Sequence, residues 1–512
     1  MLHKKTNNLL VLALLALSFG GSVQAQTAHS SFIVKEPHRP EIHFTPPSKW
    51  MNDPNGMVYH NGTYHLFYQH YPDSTVWGPM HWGHATSKDL VRWEHQPIAL
   101  YPDSLGYIFS GSAVADPHNT TGFGKNGKTP LVAIFTHHNL KGEQQGRTDY
   151  QNQSLAYSLD DGKTWTKYAG NPVLKNPGIV DFRDPKVMWY ERGKKWIMTL
   201  ATKDRITFYS SPNLKEWTKE SEFGQNLGAH GGVWECPDLF PLEHKGKNVW
   251  VLLVSLNPGG PNGGSATQYF LGDFDGTTFT PQSTDTKWLD YGPDDYAGIT
   301  WSQTGNRKIF LGWMSNWSYA QVVPSASWRG GATLPRELQL RGEGKNLYVS
   351  SVPVKELERL TTTPFTLQQL SLANGFDLSA KVGKAEGPFR LDLNLQKAAG
   401  FSVVLSNDLG EEVVIGYDPQ HHHYFIDRSR SGKVDFHQEF AARHTAPRQA
   451  TGSALDLTLV VDASSVELFA DGGLSVMTAL FYPRQPFHQL TLRSADGAEV
   501  KKLTYSPLKP AR

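Results

Sequence analysis

Three acidic side chains occupy equivalent positions in three repeated units of the sequence. Asp53 stands directly before a proline, and two apolar runs joined by Asn61-Gly62 follow it, a pattern that predicts a β-hairpin. Asp184 also precedes a proline and a pair of apolar runs, and Glu235 stands two places before the proline of a third such unit. We therefore expect the three carboxyl groups at the start of three equivalent hairpins.

Converging carboxyl groups could hydrolyse a glycosidic bond. Hydrolysis with retention needs one carboxylate as nucleophile and one carboxylic acid as proton donor, about 5–5.5 Å apart. Mutual repulsion should raise the pKa of at least one group, as a general acid near neutral pH requires. Arg183 is expected to hold the neighbouring Asp184 ionised and to orient it. The rival use of such acids is Ca²⁺, but the sequence lacks an Asp-x-Asp-x-Asp-Gly loop, and no metal is expected.

A second repeated marker predicts how the three acids meet. Each copy is a short polar turn closed by an aromatic residue, and the copies are Ser87–Trp93, Ser158–Trp165, Ser211–Trp217 and a weaker Asp273–Phe279. Such turns bond their own backbone, and the aromatic residue can pack between sheets. With a fifth unit at Tyr296–Leu340, the repeats predict a five-bladed β-propeller over 40–341. The innermost strands of a propeller point at one axis, which would bring the three acids into one funnel.

The pattern changes after Arg341. Pro353–Leu360 is predicted to be a short helix within a linker, 342–361. Alternating apolar segments separated by Asn, Asp and Gly turns then predict a smaller β-sandwich over 362–512. The expected fold is all-β, a five-bladed β-propeller followed by a β-sandwich. His421–His423 are read as a solvated loop, because adjacent strand residues alternate faces and cannot converge on a metal.

Composition and the N-terminus restrict the possible partners and location. Lys and Arg total 49 against 48 Asp and Glu, with no basic block that could follow a phosphate backbone, so nucleic acid is not an expected partner. Lysines 4 and 5, the apolar run Leu9–Phe19 and a small-residue site at Ala25 predict a signal peptide over 1–25 and export to the periplasm or beyond. No segment of the mature chain is expected to span a membrane. Cys236 stands alone, so no intrachain disulfide is possible.

Aromatic and polar residues near the acids suit a sugar. The aromatic faces available for stacking are those of Trp50, Trp77, Trp82, Phe109, Trp234, Trp301 and Trp313. Partners for sugar hydroxyls are Asn52, Gln69 and Ser110. Each aromatic alone is more typical of a core position, but together they favour a carbohydrate ligand.

Five ordered motifs resemble glycoside hydrolase family 32, the β-fructofuranosidases, which include invertases, inulinases and levanases. The motifs are Trp50–Gly56, Phe109–Val114, Phe182–Val187, Glu235–Phe240 and Trp328–Leu338. The resemblance runs from about Pro40 to the end of the chain. It implies a propeller joined to a sandwich, and hydrolysis of β-fructosides such as fructan or sucrose with retention, without metal or cofactor.

The resemblance also implies roles for single residues. Asp53 would be the nucleophile, Glu235 the acid/base, and Asp184 the residue that binds fructose hydroxyls and stabilises the transition state. The substrate-binding residues would be Trp50, Asn52, Gln69, Trp77, Phe109, Ser110, Arg183 and Trp313. The segments Trp77–His84 and Gly312–Trp317 look more like those of exo-acting levanases and inulinases than those of sucrose-specialised invertases.

Two other functions stay open at this point. A non-catalytic sugar-binding propeller would keep the aromatics but would have no use for three convergent acids. A fructosyltransferase would share the covalent intermediate and differ in whether water or a sugar accepts the fructosyl group. One segment, Asp294-Asp295-Tyr296, departs from the family, whose members often have another residue before this tyrosine.

Overall fold

Five antiparallel sheets make up the first part of the protein. The structure, a computed structural model, describes residues 36–511, so the predicted signal peptide lies outside the described residues. Blade 1 comprises β1 (Lys49–His60), β2 (Thr63–Tyr71), β3 (His81–Ser87) and β4 (Glu94–Leu100). Blade 2 comprises β5 (Tyr107–Ala115), β6 (Leu131–His138), β7 (Gln151–Ser158) and β8 (Thr166–Lys167). Blade 3 comprises β9 (Phe182–Tyr190), β10 (Lys195–Thr202), β11 (Ile206–Ser211) and β12 (Thr218–Phe223).

The last two blades complete the ring. Blade 4 comprises β13 (Val233–His244), β14 (Lys247–Asn257), β15 (Ala266–Phe274), β16 (Phe279–Pro281) and β17 (Lys287–Trp288). Blade 5 comprises β18 (Tyr296–Thr300), β19 (Ile309–Trp313), β21 (Arg336–Arg341) and β22 (Tyr348–Pro353), and β20 (Trp328–Arg329) pairs in parallel with β1. The inner strands β1, β5, β9, β13 and β18 each contact the next, and β18 contacts β1. This closed ring confirms the predicted five-bladed propeller.

The repeated turn marker performs the packing role that the sequence predicts. The Ser87 hydroxyl accepts a hydrogen bond from the Leu90 amide at 2.8 Å, and the Trp93 indole donates to the Leu90 carbonyl at 3.1 Å. The next two copies repeat the serine and indole bonds. Trp93 stacks on Trp301 of blade 5 with ring centroids 6.0 Å apart. The closing aromatic therefore fills the space between neighbouring blades.

Two six-stranded sheets form the predicted β-sandwich. The first contains, in spatial order, β23 (Phe365–Ser371), β34 (Glu499–Pro507), β25 (Phe389–Leu395), β30 (Leu455–Asp462), β31 (Ser465–Ala470) and β32 (Ser475–Leu480). The second contains β24 (Phe376–Asp377), β33 (Gln489–Arg493), β26 (Phe401–Ser406), β27 (Glu412–Asp418), β28 (His423–Arg430) and β29 (Arg443–Pro447). Along β25 every second residue is buried, so its apolar side chains face the core between the sheets. His421 lies in an exposed turn and pairs with Asp418.

The segment predicted as a linker, 342–361, contains structure of the propeller. Its residues include β22, which pairs with β21 and forms the outer strand of blade 5. Lys355–Leu360 is a 3₁₀-helix, two residues shorter than the predicted helix, and Leu357 and Leu360 pack against sandwich residues. The sequence does not predict β22, because two serines interrupt its short apolar pattern. The remaining helical segments, none of which the sequence predicted, are α1 (Leu140–Gln144), α2 (Ser379–Val382) and 3₁₀ turns at Glu191–Gly193 and Gly344–Asn346. Within residues 36–511 no helix is long and apolar enough to span a membrane.

Buried charges join the propeller to the sandwich. Arg336 of β21 is fully buried and donates hydrogen bonds to Glu467 of β31 at 2.5 Å and to Asp290 at 2.9 Å. His43 lies between Asp462 and Glu467, 2.8 Å from each carboxylate. Breaking such a pair would leave an uncompensated charge in the interior, so the network favours one arrangement of the two sheets and the blades.

Replacing His43 with glutamine should reduce stability in a pH-dependent way. Hydrogen bonds and charges of Asp462 and Glu467 outweigh the opposing effect of burial and raise the pKa of His43 from 6.5 to about 9. Its protonation therefore stabilises the fold fully below pH 6.5, and this contribution, on the order of 3 kcal/mol, is lost as pH rises through about 9. Urea unfolding at both ends of this window should show the wild-type advantage over His43→Gln shrinking at high pH. His421→Gln, at an exposed histidine, is the control, and an advantage that does not change with pH would contradict the assignment.

Candidate active site

A cavity of about 250 Å³ lies at the end of the propeller where the inner strands begin. Its lining consists of Asn52, Asp53, Gln69, Trp77, Phe109, Ser110, His138, Glu143, Gln151, Asp181, Arg183, Asp184, Glu235 and Trp317. The three acids come from β1, β9 and β13, as the repeat positions predict. The cavity therefore brings them together with every predicted substrate-binding residue except Trp50 and Trp313.

A backbone irregularity at the same level of the inner strands aims the acids into the cavity. The pairing of each inner strand with its neighbour is interrupted at one of the acids. The interruption lies at Asp53 in β1, at Asp184 in β9 and directly after Glu235 in β13. Asp53, Asp184 and Cys236 have positive φ angles of 27°, 64° and 45°. Positive φ is costly for residues other than glycine, and bulges of this kind re-aim side chains next to functional sites. Asp53 thus lies within a strand that begins at Lys49, rather than before the hairpin.

Both carboxylate oxygens of Glu235 have protein partners. Arg183 donates to Oε1 from Nη2 at 2.9 Å and from Nε at 3.1 Å, and the Tyr296 hydroxyl donates to Oε2. Arg183 also binds Asp181, while its Nε lies 4.0 Å from Asp184. The charge of Arg183 favours the ionised form of Asp184, as predicted, by acting to lower its pKa. Its hydrogen bonds go to Glu235 and Asp181 instead of Asp184, because neighbouring residues of a strand point in different directions and the guanidinium reaches the adjacent blade.

Asp184 is buried and receives a hydrogen bond from the Cys236 amide at 3.0 Å. Burial, helped by the charge of Glu235 and opposed by Arg183, raises the pKa of Asp184 to about 6. The thiol of Cys236 is also buried, and burial together with the surrounding carboxylates raises its pKa well above the usual value. A thiol in this state is a poor nucleophile. Cys236 instead holds Asp184, because its sulfur also donates a hydrogen bond to Oδ2 of that residue at 3.7 Å.

Asp53 has an oxygen available for chemistry. Its Oδ1 is buried and has no hydrogen-bond partner among the described residues. Burial, with the charges of Glu235 and Asp184, raises the pKa of Asp53 well above 3.8. The neighbouring Asn52 is fixed by a hydrogen bond from the Trp50 indole to its side-chain oxygen at 2.7 Å. The site thus holds one oxygen free for attack while its neighbours are held in place.

Trp50 and Trp313 do not reach the cavity, contrary to the predicted role in substrate binding. Both have no exposed surface, and each contacts Trp317, with ring centroids 5.9 Å and 4.9 Å away. Trp317, which the sequence did not single out, presents the aromatic surface to the cavity. Trp82, Trp234 and Trp301 are likewise core residues with no more than 2% of their surface exposed. Spacing along the chain does not reveal which face of a bulged strand a tryptophan occupies.

Several other lining residues were missed. His138 stacks on Phe109 with ring centroids 4.2 Å apart, and its Nε2 lies 3.2 Å from Glu143. Burial lowers the pKa of His138 to about 4, so the ring is neutral near pH 7. Tyr296, which contacts Glu235 without lining the cavity, was also missed. Its position in the repeat is a signal, because Tyr296 begins the inner strand of blade 5 and Glu235 stands near the start of the inner strand of blade 4.

Comparison with known proteins places this site in a family. The N-terminal domain model of the glycosyl hydrolases family 32 matches residues 43–351, and the C-terminal model matches residues 355–507. The chain belongs to glycosyl hydrolase family 32. This confirms the resemblance found in the motifs. The N-terminal match covers the propeller strands up to residue 351, within β22, and the C-terminal match covers the sandwich strands.

Relatives and solved structures of family 32 agree with this assignment. The chain is 47% identical to a levanase of Bacillus subtilis (strain 168) over 98% of this chain and 74% of that protein. It is 40% identical to the extracellular exo-inulinase inuE of Aspergillus niger over 93% of this chain and 95% of the relative. The crystal structure of exo-inulinase from Aspergillus awamori superposes with a TM-score of 0.85 at 36% identity, covering 93% and 99% of the two chains. The all-β fold of propeller and sandwich is therefore that of family 32.

Proposed function

We propose that this protein is a retaining β-fructofuranosidase that releases terminal fructose from fructans and sucrose. Membership of glycosyl hydrolase family 32 supports the reaction class, and the levanase and exo-inulinase relatives support a fructan substrate. The observation that carries the proposal is the meeting of Asp53, Asp184 and Glu235 in one cavity, with an unpartnered oxygen on Asp53. A sugar-binding module would gain nothing from burying three mutually repelling acids.

The geometry supports a role for each acid. Asp53 attacks the anomeric carbon of the fructosyl unit while Glu235 gives its proton to the departing oxygen, which leaves a fructosyl ester on Asp53. Glu235, now a carboxylate, then removes a proton from water, whose oxygen attacks the anomeric carbon and releases Asp53. Asp184 lies close to both and offers negative charge to the oxocarbenium-like transition state.

The size of the cavity favours attack at a chain end. A volume of about 250 Å³ matches a site that holds one terminal sugar ring among polar groups. Trp77, Phe109 and Trp317 supply apolar surface around this unit, and Asn52 and Gln69 supply partners for its hydroxyls. These contacts support exo cleavage in preference to endo cleavage.

We also propose that the protein is exported. The apolar run and small-residue site near Ala25 predict a cleavable signal, and the exo-inulinase relatives are described as extracellular. Mass spectrometry of the protein recovered from outside the cytoplasm should show a chain beginning near Gln26. A chain that keeps residues 1–25 would contradict cleavage.

The catalytic activity should decline on the acid side at an unusually high pH. Asp53 must be ionised to attack, and because its pKa is raised, protonation begins at a higher pH than for an ordinary aspartate. Asp184 titrates in the same cluster with a pKa of about 6, so the apparent value belongs to the group rather than to one residue. The pH profile of kcat/KM on sucrose measures this limb. An acid limb at or below the ordinary aspartate value of 3.8 would contradict the electrostatics of the site.

The experiment that tests the proposed function is a time course of products on levan, inulin and sucrose. The mature protein should release fructose from the first minutes. The polymer that is hydrolysed faster identifies the preferred linkage. Oligosaccharides before fructose would show endo cleavage, and fructosylated sugars at high sucrose concentration would show transfer. If none of the three substrates gave a product, the result would contradict hydrolysis and favour a non-catalytic sugar-binding function. The Asp53→Ala variant, prepared in the same way, controls for contaminating glycosidases.

A further inference from the structure

The segment Asp294-Asp295-Tyr296 connects the sandwich to the catalytic cavity. Asp294 is fully buried, and its Oδ2 accepts hydrogen bonds from the Arg428 guanidinium at 2.5 Å and the Leu480 amide at 2.8 Å. Arg428 lies in β28 and Leu480 in β32, one strand from each sheet of the sandwich. Asp294 is therefore clamped by both sheets.

The next residue is tied to the sandwich by a second route. Asp295 accepts a hydrogen bond from Arg336 at 3.2 Å, and Arg336 in turn binds Glu467 of β31 through Nη2 at 2.5 Å and Nε at 3.0 Å. Both Asp295 and Arg336 are buried. Asp294 thus has its charge partner in the sandwich, and Asp295 is linked to the sandwich through Arg336 of the propeller.

The third residue of the segment reaches the candidate acid/base. Tyr296 is fully buried, begins β18 and donates its hydroxyl hydrogen bond to Oε2 of Glu235. Ala297, which follows, has a φ angle of 53°, so the strand is bulged directly after the tyrosine. Tyr296 pairs with Trp313 of β19, but the register shifts directly after it, so its position depends on this one pair and on the residues that precede it.

We infer that the sandwich positions Glu235 through Asp294 and Asp295, which hold the Tyr296 hydroxyl against the carboxyl group. This inference rests on the proposed role of Glu235 as acid/base. Tyr296 holds one oxygen and Arg183 the other, so the carboxyl plane is fixed from two blades. Loosening the tyrosine frees the plane to rotate and misplaces the proton, and small displacements of a reacting group cost large factors in rate. Asp294, Asp295 and Arg428 are thus positioning residues.

The test compares two Arg–Asp–Tyr clusters. Asp294 binds Arg428 and the Tyr319 hydroxyl, and Asp471, in the turn between β31 and β32, binds Arg448 and the Tyr424 hydroxyl. We expect Asp294→Asn to lower kcat/KM on sucrose about tenfold but on a nitrophenyl β-fructofuranoside about twofold or less, because an activated leaving group needs little protonation. Asp471→Asn, which makes the same chemical change, should leave both rates per folded molecule unchanged.

A double variant separates positioning from a general loss of stability. Tyr296→Phe should show the same dependence on the leaving group, and Asp294→Asn combined with Tyr296→Phe should lose no more activity than Tyr296→Phe alone. The inference would be overturned if the double variant lost the product of the two single losses. It would also be overturned if Asp294→Asn lost equal activity on both substrates or kept the rates expected of Asp471→Asn. If Asp294→Asn does not fold, Arg428→Lys takes its place with the same expected results.

Failure of this inference can be distinguished from failure of the proposed function. If Glu235→Gln keeps full activity on sucrose, the acid/base role itself is wrong. If Glu235→Gln is inactive on sucrose while Asp294→Asn is normal, only the positioning role is wrong.

Discussion

Replacing Asp53 with alanine is expected to abolish turnover on levan, inulin and sucrose while the fold remains intact. The reaction loses the oxygen that forms the covalent bond, and removal of a catalytic nucleophile costs on the order of 10⁵-fold or more in kcat. Stability should not fall, because the raised pKa of Asp53 means that its ionised form is disfavoured in the folded state near neutral pH. Initial rates and thermal unfolding of the same preparation check both statements.

A buried aspartate outside the cavity controls for the loss of a carboxyl group. Asp116 accepts hydrogen bonds from the Thr121 amide at 2.9 Å and hydroxyl at 2.8 Å in a loop of blade 2. Asp116→Ala should lower the melting temperature but keep the activity of each folded molecule. Activity near that of the wild type in Asp53→Ala would remove Asp53 from the mechanism.

Replacing Glu235 with glutamine should give losses that depend on the leaving group. Because glutamine cannot donate a proton to the leaving oxygen, cleavage of sucrose or fructan should slow by about 10² to 10⁴-fold, the usual contribution of general acid catalysis. The nitrophenolate of a nitrophenyl β-fructofuranoside leaves without protonation, so formation of the fructosyl ester on Asp53 should be much less affected. Pre-steady-state kinetics should show a rapid burst of nitrophenol followed by slow turnover, because the variant also lacks the base that activates water.

The matched control for this prediction changes a neighbouring acid. Glu143 lines the same cavity and lies 3.2 Å from Nε2 of His138, away from the bonds that hold Glu235. Glu143→Gln makes the same chemical change and should alter the rates on both substrates by similar factors and show no burst. Equal losses on sucrose and on the nitrophenyl substrate in Glu235→Gln would exclude Glu235 as the proton donor.

Much of the fold could be predicted because it is repeated. The turn marker at Trp93, Trp165 and Trp217 is local chemistry, in which a serine and an indole bond the same short loop, and it recurs in blades 1, 2 and 3. The sandwich could be predicted from strict alternation along strands such as β25. The outer strand of blade 5 could not, because its pairing with β21 depends on distant residues and its own pattern is weak.

The candidate site could be predicted as far as its residues share the repeat. Asp53, Asp184 and Glu235 stand out because they are acidic at equivalent places, whereas Tyr296 occupies the corresponding place in blade 5 without being acidic. Which side chains face the cavity depends on bulges with positive φ, and no local sequence signal specifies these at an aspartate or a cysteine. The predicted substrate-binding roles of Trp50 and Trp313 need both side chains at the cavity, but both are buried behind Trp317.

The most direct test of the mechanism is to locate the fructosyl group during turnover. Glu235→Gln mixed with a nitrophenyl β-fructofuranoside, quenched with acid and digested, should yield the peptide that contains Asp53 carrying one fructosyl residue. The double variant Asp53→Ala/Glu235→Gln should yield no modified peptide. A fructosyl group on Asp184 or any other residue, or nitrophenol release without a modified peptide, would contradict Asp53 as the nucleophile of a retaining β-fructofuranosidase.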